Sequence, residues 1–395
     1  MKNTIHWLGA GLSSVPGIKR LALATTPLIV WNRSLDKAQN TLKNIKDENQ
    51  QSLDIQQLNW EELATTVQAG DVVISMLPAT KHLDVAQLCL KTKAHFVSSS
   101  YISPEMATLD QQAKDQGLCF VNEVGLDPGL DHLLAHLLVE EYQQSEQFSV
   151  DNKLYFRSYC GGFPKVANDF KYKFSWSPLG VLKALKSPAK WLAQGSPQTS
   201  QAPWEALSDY TIAFNNGSET FQAYPNRDSL PFLKQYNFAN NWQVEEFVRG
   251  TLRLSGWSDA WQYLFDDIAK MTSDGTSAEE IEQRLTTISK ALEQKYSYND
   301  NEADRVVLSV ELVAKRNNKD VWHQSYLLDA CGNKSGQAMA RLVSLPVSLA
   351  VDAILNKLTP EGVTAAPHQS ETINKWLTEL TTLGEEFSHK NHLTS

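Results

Sequence analysis

Residues 4–23 read TIHWLGAGLSSVPGIKRLAL. A short apolar run, residues 4–8, enters Gly9-Ala10-Gly11 directly, and an apolar-periodic run follows to Leu23. Strand, glycine-rich turn and helix in that order are the context a dinucleotide fingerprint requires. Gly9 and Gly11 supply the first two glycines of GxGxxG. Ser14 stands at the third position, where a small side chain still lets helix approach strand. The backbone amides after Gly9, among them those of Gly11, Leu12 and Ser13, then lie at the positive end of the helix, where a pyrophosphate is held.

The pattern continues outward in βα steps. Residues 28–31 form a second strand ending in Asn32-Arg33-Ser34. An acidic residue here would bind the ribose 2′-hydroxyl of NAD(H). Arg33 and Ser34 suit a 2′-phosphate instead, so NADP(H) is expected. Residues 52–55 read as a short third strand with Asp54 near the adenine. Residues 71–77, DVVISML, read as a parallel strand buried on both faces. Residues 94–97 form the next strand. Ser98-Ser99-Ser100-Tyr101 follows its carboxyl end, the side on which open parallel sheets bind ligands. Ser103-Pro104 opens a helix with cap and proline in favoured positions, and residues 118–121 close the series.

Residues 122–132, NEVGLDPGLDH, stand where this rhythm stops. They hold Glu123, Asp127 and Asp131 with Gly125, Pro128 and Gly129. A carboxylate-rich turn between two domains suits a substrate pocket. The plainer reading is a Gly/Pro turn whose Asp131 caps a helix.

The chain of 395 residues exceeds one ordinary core, so two or three domains are expected. A formal net charge of −9 argues against nucleic acid or an anionic membrane as partner. No basic segment precedes an apolar one at the N-terminus, and no apolar run reads as a membrane span. Cys89, Cys119, Cys160 and Cys331 are dispersed, which suits reduced thiols in a cytoplasm and no metal site.

Beyond residue 150 the pattern changes. Residues 153–160, 172–176, 210–214 and 220–223 read as strands. Residues 305–315 and 321–329 flank Asn317-Asn318-Lys319-Asp320, a hairpin signature. Residues 257–270 and 277–295 have helical spacing. Residues 187–203, rich in Ser, Pro and Gln, read as a surface loop. Residues 338–355 form a helix interrupted by Pro346, and residues 370–383 an amphipathic tail. Arg227, Arg249 and Arg253 recur at turns of this half, and arginine is the preferred partner of carboxylates. The nine histidines show no metal-ligand spacing and read as structural or surface groups.

NEVGLDPGLDH, SYCGG (158–162), YKFSWSPLGVL (172–182), YPNRDS (224–229), VRGTLR (248–253) and AMAR (338–341) occur in an order that resembles saccharopine dehydrogenase of the glutamate-forming type, or saccharopine reductase. The resemblance spans residues 4 to about 366. It implies an α/β fold: a doubly wound Rossmann sheet plus a mixed α/β substrate and dimerisation domain with a small helical insertion. The expected divisions are 1–127 with 338–395, 128–240 with 301–337, and 241–300. The resemblance places the dinucleotide on Gly11, Asn32, Arg33, Ser34, Asp54, Ile55, Ser75 and Val97, with Met76, Leu77, Ser98, Gly125 and Leu126 beside them. It places substrate on Ser100, Tyr101, Asp127, Arg227, Thr251, Leu252 and Arg253, and it implies a homodimer.

The reaction implied is oxidation of saccharopine to glutamate and 2-aminoadipate 6-semialdehyde, or its reverse, in lysine metabolism. Hydrolysis of the imine needs positioned proton carriers. Asp127 and Tyr101 are the candidates, with Cys160 third. Related activities on carboxynorspermidine, homospermidine precursors or lysine are the enzymatic alternatives. An NADP-binding redox sensor or scaffold is the non-enzymatic one.

Overall fold

The computed structural model describes residues 3–273 and 275–393. The chain forms two compact units, residues up to 133 with 334–384, and residues 134–333 with those after 384. The first opens with β1 (Ile5–Leu8), α1 (Val15–Ala22), β2 (Leu28–Asn32), α2 (Leu35–Leu42), β3 (Asp54–Gln57), α3 (Trp60–Thr66) and β4 (Val72–Ser75). It continues with α4 (His82–Thr92), β5 (His95–Ser98), α5 (Pro104–Ala107), α6 (Asp110–Asp115) and β6 (Cys119–Val121). All the strand pairings here are parallel. Both faces of the sheet are covered, which is why Val72, Val73 and Ile74 can be consecutive apolar residues with no exposed surface. The chain passes into the second unit within α7 (Leu130–Gln144).

The second unit holds β7 (Lys153–Pro164), α8 (Pro178–Leu185), β8 (Ala189–Ala193), β9 (Ser196–Ser200), β10 (Ser208–Phe214) and β11 (Gly217–Pro225). Then come α9 (Pro231–Gln235), β12 (Gln243–Arg253), α10 (Trp257–Ser273), α11 (Ala278–Tyr296), β13 (Asp304–Arg316) and β14 (Lys319–Cys331). The expected β13–β14 hairpin turns at Asn317 and Asn318, with φ of 52° and 60°. Two positive-φ residues match the right-handed twist of the flanking strands, and asparagine tolerates that region.

Three expectations are corrected here. Residues 187–203 are not a loop: β8 and β9 form a hairpin about Gln194 and Gly195, both at positive φ. Polar composition hid a two-residue turn. Residues 172–176 form no strand; Tyr172 and Phe174 are buried in an aromatic cluster with Trp257, Trp261 and Phe265 of α10. Residues 241–300 are not a separate domain. β12 belongs to the main sheet, while α10 and α11 share one apolar core with α8.

The chain returns to the first unit as α12 (Ala338–Leu355), β15 (Gly362–Thr364) and α13 (Ser370–Thr382). β15 completes a seven-stranded sheet of order β15-β6-β5-β4-β1-β2-β3. α12 is long and apolar enough to cross a membrane by length and composition, contrary to the sequence reading, but 72% of it is buried inside the fold. It runs through Pro346 and packs on α1. A Cβ at Gly17 would stand 2.4 Å from Ser344 O, so helix contact demands glycine there. Arg20 of α1 reaches Asp352 at 2.7 Å and Glu379 at 3.2 Å. The last strand, β16 (Phe387–Asn391), pairs with β14 and ends the sheet order β10-β11-β12-β7-β13-β14-β16. The segment after 384 therefore belongs to the second unit and not, as expected, to the first.

Candidate active site

Strand register places Leu8, Trp31, Gln56, Ser75 and Ser98 on one row near the carboxyl edge of the first sheet. Asp54 and Ile55 lie two and one residues behind that row, so Asp54 falls roughly 7 Å short of it. β3 starts two residues later than the sequence suggested, and Gln56 and Gln57 hold the edge.

The glycine loop is built as the fingerprint needs. Gly9 has φ +98°, and a Cβ there would meet Met76 O at 2.9 Å. At Gly11 nothing lies within 4 Å of a Cβ position, which leaves open space for a pyrophosphate. The Ala10 amide donates to Asn32 Oδ1 at 3.1 Å, tying the loop to β2. Ser14 does not serve as the packing position. Its Oγ donates to Gly9 O at 2.8 Å, and the close approach falls to Gly17. Leu12, Arg33 and Ser34 are exposed, Ser13 and Asn32 half-buried, and Ser34 caps α2. The residues for a 2′-phosphate thus face solvent after β2.

Other expected dinucleotide contacts are more enclosed. Met76 and Leu77 are half-buried after β4. Ser75, Val97 and Ser98 have no exposed surface, side chain or backbone. Gly125 and Leu126 are engaged within their own turn. The Gly125 amide donates to Pro128 O, while Gly125 O and Leu126 O accept from the amides of Leu130 and Asp131.

The three carboxylates of the central stretch separate by environment. Glu123 and Asp131 are buried and brace the fully buried His132, at 3.1 Å from Nε2 and 3.5 Å from Nδ1. Glu123 also accepts the Ile102 amide at 3.0 Å, and Asp131 accepts the Gly129 amide at 2.7 Å. These two hold the turn. Asp127 is half-buried and accepts a 2.9 Å hydrogen bond from the Tyr101 hydroxyl. A carboxylate and a phenol joined in this way can pass a proton between them.

Sequence reasoning missed His82. It starts α4, is 8% exposed, and bonds Ser75 Oγ through Nδ1 and Ser100 Oγ through Nε2, both at 2.8 Å. Burial pushes its pKa down to about 4, so the ring is neutral at ordinary pH. Nothing in the local pattern distinguishes it, because its partners lie 7 and 18 residues away.

In the second unit Arg253 ends β12 and is 7% exposed. Its guanidinium lies 5.0, 5.3 and 5.5 Å from the ring centres of Tyr172, Trp257 and Tyr224. Its Nε has no hydrogen-bond partner among the described residues. Burial raises the Tyr172 and Tyr224 phenols, and the Arg253 charge works against it. Thr251 stands beside Tyr224 and Cys160 in register, so these share a face with Arg253. Leu252 points to the other face and is buried in a core with Tyr159 and Phe163, which removes its side chain from the expected substrate set. Cys160 is buried and forms no disulfide. Arg227 is exposed, at φ +58° in the turn after β11. The ring cage was visible in the sequence only as aromatic motifs of unassigned purpose.

Elsewhere in this unit Glu311, His323 and His392 bring one ligand atom each within 4.8 Å of one another. Glu311 is already bonded by Arg157 at 3.0 Å and His323 at 2.7 Å. The two imidazoles stack at 4.0 Å and 15°, which keeps their in-plane lone pairs nearly parallel and unable to converge. This cluster is an ion-pair network.

With this geometry in hand, two matches bear on it. The saccharopine dehydrogenase NADP binding domain matches residues 5–121, and the saccharopine dehydrogenase C-terminal domain matches residues 125–384. The chain belongs to the saccharopine dehydrogenase family. Within that family, the saccharopine dehydrogenase (NADP+, L-glutamate-forming) of Pyricularia oryzae is 29% identical over 95% of this chain and 96% of its own. The mitochondrial alpha-aminoadipic semialdehyde synthase of Rattus norvegicus is 27% identical over 90% of this chain, which spans 44% of that protein. The apo structure of saccharopine dehydrogenase (L-Glu forming) from Saccharomyces cerevisiae superposes with a TM-score of 0.76 at 27% identity, covering 98% of this chain and 99% of that one. The NADP binding domain of the saccharopine dehydrogenase family coincides with the sheet that carries the glycine loop and Arg33, which agrees with the expectation of NADP(H).

Proposed function

We propose that this saccharopine dehydrogenase family member catalyses the NADP-dependent oxidation of saccharopine to L-glutamate and 2-aminoadipate 6-semialdehyde, or its reverse, in lysine metabolism. One observation carries the reading: Arg253 is a buried cation with no paired carboxylate among the described residues. A desolvated charge is costly unless an opposite one joins it. Saccharopine, a secondary amine with three carboxylates, brings that charge, and the fixed guanidinium fork suits bidentate capture. Arg227 takes a second carboxylate.

Bound NADP supplies the hydride acceptor. The chain's own groups manage position and protons. The carbon next to the secondary nitrogen loses hydride, the nitrogen loses a proton, and an imine forms. Asp127, hydrogen-bonded by Tyr101, takes up that proton. Water then adds to the imine, and the same pair returns a proton to the nitrogen as the carbinolamine collapses to amine and aldehyde. Cys160 is the third candidate on this route. Gly9, Gly11, Asn32, Arg33 and Ser34 hold the dinucleotide.

A carboxynorspermidine or homospermidine-type substrate offers more positive charge, which the unpaired Arg253 cation opposes. NADP reduction measured side by side with saccharopine, lysine and carboxynorspermidine tests the reading. Turnover confined to saccharopine supports it. Turnover of lysine or the polyamine alone overturns it, and NADPH binding without any turnover favours the sensor or scaffold.

The same reading extends to a homodimer joined through the sheet of the second unit and to residence in the cytoplasm. Family membership supports the dimer, and four cysteines outside any disulfide support the compartment. Light scattering at micromolar concentration and cell fractionation test them.

A further inference from the structure

We propose that His82 is a positioning residue that fixes the Ser100 hydroxyl as a hydrogen-bond donor toward a substrate carboxylate. This rests on the saccharopine reading above, and three observations carry it.

Ser100 has little freedom besides its hydroxyl. Its amide donates to Ser98 Oγ at 3.0 Å, and its carbonyl accepts the Glu123 amide at 3.0 Å. Only the side chain remains to meet a ligand, and its Oγ lies 2.8 Å from His82 Nε2.

The imidazole is held from all sides. It is 8% exposed, packs edge-on to Phe96 at 6.3 Å, and bonds serine hydroxyls through both nitrogens. A neutral imidazole carries one N–H and one lone pair, so it donates to one serine and accepts from the other.

Ser75 decides the direction. It has no exposed surface, and His82 Nδ1 is its hydroxyl's hydrogen-bond partner among the described residues. A buried hydroxyl whose one partner is a ring nitrogen leaves its proton unsatisfied unless it donates. Ser75 therefore donates to Nδ1, the ring proton sits on Nε2, and Nε2–H donates to Ser100 Oγ. The Ser100 proton is left to turn outward. Carboxylates are acceptors only, so a donor fixed there selects them. The relay moves no proton in the reaction. It sets a hydroxyl's orientation before substrate arrives.

The test is a double-mutant cycle with saccharopine in the intact enzyme. His82→Phe and Ser100→Ala should each lower kcat/KM by roughly five- to thirty-fold, mainly through KM. The double variant should lose no more than the worse single one, because His82 acts through Ser100. Both limbs of the pH–rate profile should persist in His82→Phe. Additive losses, an unchanged kcat/KM in His82→Phe, or disappearance of a pH limb overturns the proposal. A measurement without substrate keeps it falsifiable if saccharopine is not turned over. Nitrogen-15 NMR of the His82 ring should show one neutral tautomer protonated at Nε2, and a mixture in Ser75→Ala. A wild-type ring protonated at Nδ1 overturns the assignment on its own, whereas wild-type inactivity toward saccharopine alone counts against the functional reading.

Discussion

The Tyr101 hydroxyl donates to Asp127 Oδ1 at 2.9 Å, across 26 residues of chain, while the neighbouring Glu123 and Asp131 are buried against His132. Of the three adjacent carboxylates, Asp127 is half-buried and the other two are buried, which is the basis of its proposed proton-carrying role. Asp127→Asn should lower kcat by roughly ten- to a hundred-fold and flatten one limb of the pH–rate profile. Tyr101→Phe should show a smaller loss in kcat. Thermal melts should stay near wild type, since both groups are half-buried. Unchanged kcat and unchanged limbs in Asp127→Asn would leave Asp127 as a turn former.

Arg33 should set cofactor choice. It is exposed beside the Ser34 cap, so Arg33→Ala should not disturb the fold. Loss of a charge-assisted phosphate contact should weaken NADPH by about one to two decades and leave NADH near its starting affinity. Equal weakening of both cofactors, measured as Kd, would remove the assignment.

Arg253 should trade stability for binding. Arg253→Met keeps the volume among Tyr172, Tyr224 and Trp257 but removes a desolvated charge. The variant should melt at or above the wild-type temperature while KM for saccharopine rises about ten-fold or more. A clear fall in Tm with KM unchanged would make Arg253 structural.

Gly129 should tolerate no side chain. At φ +147°, a Cβ would lie 2.1 Å from Gly125 O and 2.4 Å from Gly125 N. Gly129→Ala should therefore cost roughly 2–4 kcal/mol, because backbone on both sides must shift. Denaturant unfolding measures this. Gly217→Ala, at φ +134° with open space around it, should show only the milder backbone penalty.

Acid should destabilise the first unit through His82. Burial holds its folded pKa near 4, below the ordinary 6.5. Between those values the unfolded chain binds a proton that the folded chain refuses. Its contribution is complete above pH 6.5, is lost as pH falls toward 4, and amounts to roughly 3 kcal/mol. Burial lowers His6 and His95 in the same direction. The Tm difference between wild type and His82→Phe should shrink between pH 7 and pH 4.5. A constant difference would show that the His82 environment does not resist protonation.

Much of this architecture was present in short stretches of sequence. The strand–glycine–helix order at residues 4–23, the continuous apolar run of β4, the Asn317-Asn318 turn and the missing acid after β2 each depend on a few neighbouring residues. Side-chain period and allowed φ values act locally, so such features can be read from local sequence. The motif order carried the family, and Arg33-Ser34 in place of an acid carried the NADP(H) preference.

Tertiary structure alone decided the rest. Ser14 looks like the packing residue of the glycine loop, yet Gly17 has that role because Ser344, 327 residues later, lies against it. Strand register, which no local pattern fixes, sets Asp54 two residues behind Gln56 on β3. Glu123, Asp127 and Asp131 are equivalent as letters, and His82 is one of nine histidines. Burial and distant partners separate them. A side chain's chemistry depends on which groups desolvate it and which donors reach it. Those groups are supplied by the fold from residues far away in the chain.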